Sequence, residues 1–324
     1  MITKRIAIIG AGSHAREQHY PALRNIDEIR LCAACDLIPK KLEEVQKLYD
    51  VPAVYTDYRQ MIQTEAPDGV VLVLRPMELV DVALGCLDLG AHVMIEKPPG
   101  CASADAQRIL DRAEQKGRKV MVSLNRRFMP AIRKVRELAR ERKLVHCSST
   151  YNKDGFFGRR WTWPSALPVC DSIHLIDLMR FVGGEVAEVH ASSAKREAEF
   201  TNSHSALLVY ESGAMGSLNT HHCVGARVQR FEVHAHQMSA YMDVGNTRAP
   251  SCELWLDGKR AELPVPAEAL PPKVGQDNYF ETRHFARFVA GEEEGESTLA
   301  DAIKSVRLAE AVVAGFRGCL RDFR

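Results

Sequence analysis

The 324-residue sequence lacks an excess of either charge, a long apolar run and a paired set of cysteines. Lys plus Arg number 43 against 42 for Asp plus Glu, so we expect no basic face for nucleic acid. No stretch approaches the roughly 20 apolar residues that span a bilayer, so we expect no membrane partner. The nine cysteines form an odd, scattered set, which predicts reduced thiols and a cytoplasmic location.

What is present is the composition of an ordinary globular protein, with 46% hydrophobic and 26% charged residues. At roughly 100 to 200 residues per domain, the length predicts about two domains. From Arg5 to Ser123, short β-branched runs alternate with amphipathic segments that begin near Pro or Ser. This order predicts an α/β Rossmann domain over residues 1–123, with a doubly wound parallel sheet. The five strands predicted there are Ile6–Ile9, Ile29–Ala34, Val70–Leu74, His92–Ile95 and Val120–Ser123.

The second half of the chain has a different pattern. An apolar helix is predicted from Asp171 to Val182, where two glycines end it. Several strand-like segments follow between residues 186 and 244, separated by turns without helices, which predicts a large open, mostly antiparallel sheet. Two helices close the chain, roughly Asp277–Ala290 and Leu299–Phe316. Residues 124–324 are therefore expected to form a second α/β domain.

Residues 10–15 read G-A-G-S-H-A directly after the first predicted strand and open a helix, which matches the dinucleotide-binding fingerprint. Gly10 permits the tight turn, Gly12 lets the backbone approach a pyrophosphate, and Ala15 keeps the helix close to the strand. The pyrophosphate would then lie on N–H groups at the helix N-terminus, beside Ser13 and His14. The segment therefore predicts a nucleotide site.

Asp36 ends the second predicted strand. A carboxylate there can accept hydrogen bonds from both hydroxyls of the adenosine ribose and would repel a 2′-phosphate, so NAD is favoured as the cofactor. Lys40 and Lys41 follow closely, and a nearby cation can accommodate that phosphate. NADP therefore stays open as the alternative.

A second cluster, Glu96-Lys97-Pro98, ends the predicted strand His92–Ile95, at the sheet edge where open α/β sheets bind ligands. Together with Asp36 and three further motifs, it resembles the Gfo/Idh/MocA oxidoreductases, the family of glucose-fructose oxidoreductase and inositol dehydrogenase. Those motifs are Tyr55-Thr56-Asp57-Tyr58, Asn125-Arg126-Arg127-Phe128 and His174-Leu175-Ile176-Asp177. The resemblance extends from about residue 4 to residue 182 and indicates the family far better than the substrate.

The resemblance implies NAD(P)-dependent hydride transfer between nicotinamide and a secondary hydroxyl or ketone of a sugar, polyol or sugar acid. It implies that Lys97 reaches both nicotinamide and substrate, that the bond from Lys97 to Pro98 is often cis, and that His174 is the proton base. An imidazole has the near-neutral pKa that this step needs. Glu96, Pro98 and Asn125 are assigned with Lys97 to the cofactor. We expect the active site in the cleft between the two domains, and a homodimer or homotetramer formed through the outer face of the second sheet.

One departure from the family pattern lies just before His174. The family commonly has an acid four residues earlier, where this chain has Cys170, and Asp171 stands three residues earlier. At about 100° per residue, the two positions lie on opposite flanks of the His174 direction. Asp171 either orients the imidazole from the other flank or caps a helix that begins one residue later. We expect a catalytic orienting role for Asp171 and a buried filler at Cys170.

A second departure lies after the predicted strand Val70–Leu74, where Arg75-Pro76 and Val80 replace a common Thr-Pro and histidine. We assign Arg75 to the cofactor edge. Together with Arg126, Arg127, Arg159 and Arg160 it could bind an acidic substrate group, because guanidinium holds a carboxylate bidentately. A surface ion pair is an equally good interpretation of any one of them.

No metal site is predicted. Cys32 and Cys35 lie in a buried strand and point to opposite faces, and the pairs His221-His222 and His234-Ala-His236 lack the ligands that would complete a set. Trp161 and Trp163 either form a wall for a sugar ring or anchor the core.

Two rival functions remain. The enzyme could recycle a bound NAD during elimination or glycoside cleavage, as some relatives do. The departures at Cys170 and Val80 also suit an NAD-binding sensor without catalysis.

Overall fold

The structure is a computed structural model that describes residues 3–153, 168–246, 251–265, 270 and 274–323. The chain divides into two compact units, Met1–Asn125 with Glu268–Ile303 and Arg126–Ala267 with Lys304–Arg324. The ranges expected from the sequence, 1–123 and 124–324, differ from these units chiefly in the segment 268–303, which lies in the first unit. No helix within the described ranges has both the length and the apolar character needed to cross a bilayer.

The first unit contains a six-stranded sheet in the order β3-β2-β1-β4-β5-β6. Its strands are β1 (Lys4–Ile9), β2 (Ile29–Cys35), β3 (Ala53–Tyr55), β4 (Gly69–Leu72), β5 (His92–Glu96) and β6 (Val120–Ser123). Every neighbouring pair is parallel, and the longer strands are nearly continuous apolar runs because both faces are covered. The predicted doubly wound sheet is confirmed. The sequence does not predict β3, because its three half-buried residues are too few to show a strand pattern.

Helices alternate with these strands. A π-helical turn, Ala15–His19, runs into α1. The helices are α1 (Tyr20–Asn25), α2 (Pro39–Tyr49), α3 (Tyr58–Glu65), α4 (Pro76–Asp88) and α5 (Ser103–Lys116). Proline occupies the start of α2 and α4, where its missing N–H removes no helical hydrogen bond.

The second unit is built on a nine-stranded sheet in the order β14-β13-β12-β11-β7-β10-β9-β8-β15. A 3₁₀ turn (Asn125–Phe128) and α6 (Pro130–Glu141) lead into it, and a π-helical turn (Pro168–Ser172) runs into α7 (Ile173–Gly183). The strands are β7 (Leu144–Asn152), β8 (Val186–Ala194), β9 (Ser203–Tyr210), β10 (Met215–His221), β11 (Val228–Ala235), β12 (Met238–Asp243), β13 (Ser251–Leu256), β14 (Lys259–Ala261) and β15 (Arg317–Cys319). The mostly antiparallel sheet predicted from the sequence is confirmed.

One pair in this sheet, β7 and β10, is parallel, with Tyr151 beside Thr220 and Asn152 beside His221. Because parallel strands end at the same edge, the residues that follow β7 and β10 lie side by side. β7 was not predicted, since its alternation of buried and half-buried positions is carried largely by small polar residues. The sheet edge at which β7 and β10 both end therefore cannot be predicted from the sequence.

The two closing helices are α8 (Gln276–Ala290) and α9 (Leu299–Val313). α8 packs on the parallel sheet: a Cβ at Gly69 would lie 2.9 Å from the ring of Phe285. The Ser123 hydroxyl donates to Glu281 at 2.7 Å, and the Ser297 hydroxyl donates to the Val122 carbonyl at 2.7 Å. These contacts place the segment 268–303 in the first unit, which helix periodicity alone cannot indicate.

Candidate functional site

The turn after β1 begins at Gly10, which has a φ of +115°. Its N–H donates to the Cys35 carbonyl at 2.7 Å, and a Cβ at this position would collide with the Val73 carbonyl oxygen. A residue with a side chain would be strained by the backbone angle and blocked by that carbonyl. Gly10 therefore makes the tight turn that the sequence predicted.

Gly12 has a different surrounding. A Cβ there would meet no atom within 4 Å, and the Gly12 carbonyl accepts the first helical hydrogen bond, from Arg16 N–H at 3.0 Å. Ser13 and His14 are exposed, whereas Ala15 is fully buried against the sheet. The open backbone at the start of a helix fits a pyrophosphate group.

Asp36 is held beside this turn by the backbone. Its Oδ2 accepts a hydrogen bond from Ala11 N–H at 2.8 Å, and its Oδ1 accepts one from Ile38 N–H at 2.9 Å. Each oxygen keeps a further lone pair for a ribose hydroxyl. Lys41 Nζ lies 3.7 Å from Oδ2, so the cation that left NADP open is present as well.

Glu96 joins the glycine turn to the end of β5. Its Oε1 accepts hydrogen bonds from Nε2 of the buried His19 at 2.9 Å and from Nε2 of His14 at 3.2 Å. Burial of Glu96 opposes ionisation, but the two histidines outweigh it and hold the pKa of Glu96 well below its ordinary value. The hydrogen bond with Glu96 in turn raises the pKa of His14. His19 was not predicted as a site residue, because its partner lies far away in the sequence.

The other predicted residues of the first unit follow the carboxyl ends of parallel strands. Lys97 comes directly after β5 and is half-buried; its bond to Pro98 is cis, as the resemblance implied. Asn125 begins the 3₁₀ turn just after β6. Arg75 lies between β4 and α4, is exposed, and forms an ion pair with Glu78 one turn later in α4. The structure thus brings the predicted nucleotide residues to one edge of the sheet.

In the second unit, Asp171 and Ser172 end the π-helical turn that runs into α7, and His174 is the second residue of α7. Ser172, not Asp171, precedes the first residue of α7 and has a helical backbone. The N-cap interpretation of Asp171 is therefore wrong, because the chain is already helical at that residue. Cys170 is 3% exposed, which agrees with the expected buried filler.

Asp171 lies in a polar group that we call the Asp171 cluster, namely Tyr151, Lys153, Asp171, Ser172, Thr220 and His222. Lys153 Nζ is 2.5 Å from Asp171 Oδ2, and both side chains are close to 10% exposed. His222 Nδ1 lies 3.7 Å from the same oxygen. The cluster forms where β7 and β10 end side by side, so it depends on the parallel pair that the sequence did not reveal.

The far side of the His222 ring contacts two hydroxyls. Its Nε2 lies 3.1 Å from Ser172 Oγ and 3.2 Å from Thr220 Oγ1, and the two hydroxyls are 2.5 Å apart. Burial lowers the pKa of His222 to about 4, so the ring is neutral at pH 7. The sequence alone indicates only a possible metal-binding pair at His221-His222. The sequence feature that could have indicated this cluster is a pair of polar residues at the end of a strand.

Arg127 donates two hydrogen bonds, each 2.5 Å long, to the buried Asp177, so part of its guanidinium is held in an internal ion pair. Cys32 and Cys35 are both buried, and burial raises the pKa of their thiols to about 11 and about 12. Within the part of the chain that the structure describes, one trio of candidate metal ligands lies close together, His14, His19 and Glu96. Arg159, Arg160, Trp161 and Trp163 lie outside the described residues.

A glycine turn after the first strand of a β3-β2-β1-β4-β5-β6 sheet, with an acid after the second, defines a dinucleotide-binding Rossmann domain. Residues 4–124 match the family described as an oxidoreductase family with an NAD-binding Rossmann fold. Residues 132–241 match the C-terminal domain of the same family. The two matches cover more than half of the chain, and the chain belongs to the Gfo/Idh/MocA family.

Individual relatives are distant. The chain is 26% identical over 194 residues to 4-carboxy-2-hydroxymuconate-6-semialdehyde dehydrogenase of Sphingobium sp., a match that covers 58% of this chain and 61% of that protein. It is 27% identical over 219 residues to D-apiose dehydrogenase of Paraburkholderia graminis, covering 64% and 57%. The chain thus spans about three fifths of the length of these relatives. A crystal structure of an oxidoreductase from Agrobacterium radiobacter, with NAD+, L-tartaric acid and magnesium, has the same fold, with a TM-score of 0.80, 18% identity and 96% coverage of both chains.

Proposed function

We propose that the protein is an NAD-dependent dehydrogenase that oxidises a secondary hydroxyl of a sugar, polyol or sugar acid, or reduces the matching ketone. The observation that carries the proposal is the contact of Glu96 with His14. Because Lys97 follows Glu96 directly, this contact holds the end of β5 that leads into Lys97 close to the glycine turn. Family membership and the dehydrogenase relatives support the reaction class.

The proposed roles follow from the chemistry of each side chain. When bound at the edge of the parallel sheet, NAD would supply the hydride acceptor. Lys97 donates a hydrogen bond to the reacting oxygen and so stabilises developing negative charge. His174 accepts the hydroxyl proton during oxidation and returns it during reduction. Asp171 orients the imidazole of His174 and compensates the positive charge that the ring gains with the proton.

The cofactor contacts are proposed for the residues that surround the glycine turn. The backbone at Gly12, Ser13 and His14 would hold the pyrophosphate, and Asp36 would accept hydrogen bonds from the adenosine ribose. Arg75, Glu96, Pro98 and Asn125 complete the proposed cofactor edge. NAD is preferred because the Asp36 carboxylate would repel a 2′-phosphate.

The test is turnover by Lys97→Ala and His174→Ala on a panel of sugars, polyols and sugar acids, followed by NADH absorbance. We expect turnover to fall by about 10²- to 10⁴-fold in each variant, with NAD affinity largely intact. Lys116→Ala and His190→Ala are matched controls, since each removes the same residue type from an exposed ion pair. Turnover in either site variant equal to that of its control would contradict the assigned role.

The same panel separates the two rival functions. An enzyme that recycles bound NAD would convert substrate without net release of NADH, which product analysis by mass spectrometry detects. A sensor would bind NAD and convert nothing in the panel. Net NADH formed in step with ketone supports the dehydrogenase.

We further propose that the protein is a cytoplasmic homodimer or homotetramer. All nine cysteines are free thiols, which suits a reducing compartment. Leu207 and Met215, on neighbouring strands of the second sheet, are 62% and 58% exposed on one face, and Tyr241 and Trp255 are partly exposed there as well. We assign this face to a second copy of the chain. Native mass spectrometry of Leu207→Glu against the wild type tests it, and an unchanged assembly would contradict the assignment.

A further inference from the structure

The Asp171 cluster contains a lysine that the proposed roles do not use. Lys153 comes directly after β7, its side chain is 10% exposed, and its Nζ lies 2.5 Å from Asp171 Oδ2. A buried ammonium or carboxylate without a partner is strongly unfavourable, whereas the pair together is tolerated. The two residues are therefore one electrostatic unit.

The backbone of Lys153 is fixed on both sides. Its N–H donates to the His221 carbonyl at 2.8 Å, and its own carbonyl accepts from Val224 N–H at 2.9 Å. Both contacts follow from the parallel register of β7 and β10. The backbone from which the side chain extends thus has a fixed position, which favours a constant placement of the ammonium beside Asp171.

The remaining neighbours of Asp171 in the cluster do not supply positive charge at pH 7. The ring of His222 is neutral there, because burial lowers its pKa to about 4. Tyr151, which shares a hydrogen bond with Asp171, has its pKa raised by burial and by that carboxylate. Lys153 is the cation of the cluster, and its charge favours the ionised form of the carboxylate. Two further cations, Arg126 and Arg227, lie near enough to Tyr151 to oppose the rise of its pKa.

We propose that Lys153 is a positioning residue for the proton transfer at His174: its ammonium keeps Asp171 ionised and fixes the direction of the carboxylate one helical turn before the imidazole. The inference rests on the proposed function, which gives His174 and Asp171 their roles. No bond forms or breaks at Lys153, so the lysine acts through Asp171.

The kinetic test uses Lys153→Met, which keeps the length of the side chain without its charge, and Lys153→Arg, which keeps the charge. We expect kcat of the Met variant to fall by about 10- to 100-fold with substrate KM and NAD affinity little changed, and the Arg variant to recover most of it. Lys304→Met is the control, since it removes a lysine from an exposed ion pair with Glu185 in the same unit. Wild-type kcat in folded Lys153→Met, or equal loss in the Arg variant, would overturn the proposal.

A second measurement needs no substrate. The NMR signal of the Asp171 carboxyl carbon reports the ionisation of that group, and the Asp171→Asn variant identifies the signal. Tyr151 and His222 are unchanged in every lysine variant that is compared. We expect the pKa of Asp171 to rise by about one pH unit or more in Lys153→Met and to stay unchanged in Lys153→Arg and Lys304→Met. An unchanged titration in Lys153→Met would overturn the proposal. No turnover by the wild type, with the expected titration, would defeat the proposed function and leave the ion pair established.

Discussion

Glu96 and His19 form a buried hydrogen bond of 2.9 Å. The same Glu96 oxygen lies 3.2 Å from the ring of His14, in the glycine turn. Two motifs that are distant in the sequence are therefore joined through one carboxylate, and Lys97 is the next residue along the chain. The position of Lys97 relative to the turn depends on this contact.

Glu96→Gln should destabilise the first unit in a pH-dependent way. The raised pKa of His14 contributes stability that is full below its ordinary 6.5 and is lost as pH rises through the folded value. The lowered pKa of Glu96 contributes stability that is present above its ordinary 4.5 and is lost as pH falls through the folded value. The loss, on the order of 2 kcal/mol, should therefore be greatest between pH 4.5 and 6.5 and smaller at alkaline pH.

Thermal unfolding of the wild type and Glu96→Gln across this pH range is the measurement. Glu78→Gln serves as the control, because Glu78 is an exposed partner of Arg75 in the same unit and exposed pairs contribute little. A constant difference between wild type and Glu96→Gln over the whole range would mean that the histidines do not couple to Glu96.

The two glycines of the turn should separate stability from cofactor binding. Gly12→Val places a side chain in open space, so the melting temperature should hardly change while NAD affinity falls at least about tenfold. Gly10→Ala meets a positive φ and the Val73 carbonyl, so it should destabilise the protein by about 1–3 kcal/mol. Calorimetry of both variants measures the change in stability, and titration with NAD measures the change in affinity. Unchanged NAD affinity in Gly12→Val would remove the pyrophosphate from this turn.

The first unit could largely be predicted because its signals are local. The fingerprint from Gly10 to Ala15 lies within six residues, and strands with both faces buried appear as apolar runs. β3 (Ala53–Tyr55) is too short and too exposed for such a run to stand out, and it is recognised only because it pairs with β2. The contact of Phe285 with Gly69 joins distant parts of the chain, so no local pattern indicates that α8 belongs to the first unit.

The Asp171 cluster could not be predicted for the same reason. Lys153 and His222 become neighbours of Asp171 only because β7 and β10 run parallel, and the period of either strand says nothing about its partner. His174 and Asp171 were identified from the family motif around them. The residues that surround them belong to no sequence motif, and the pairing of strands in the sheet determines where they lie.

Asp36→Ser should weaken the preference for NAD over NADP. The carboxylate would bind the ribose and repel a 2′-phosphate, so its removal should lower the ratio of NAD to NADP affinity by about tenfold, equivalent to ~1.4 kcal/mol. Lys41→Met is the complementary variant, since Lys41 Nζ lies 3.7 Å from Asp36 and its loss should raise that ratio. Titration of both nucleotides measures the ratios, and equal ratios in wild type and Asp36→Ser would contradict the role of Asp36.

Asp177→Asn should be among the more destabilising single changes in the second unit. Asp177 is 1% exposed and accepts two hydrogen bonds from Arg127, itself 5% exposed, and a third from the Ser305 hydroxyl at 2.7 Å. The substitution leaves a buried guanidinium without its counter-charge, which costs about 3–5 kcal/mol. Ser305→Ala removes one of the three hydrogen bonds and should cost about 1–2 kcal/mol. Denaturant unfolding followed by tryptophan fluorescence reports on this unit, because all three tryptophans fall within residues 126–267. Equal losses of unfolding free energy in the two variants would show that the charge of Asp177 is not what stabilises the pair.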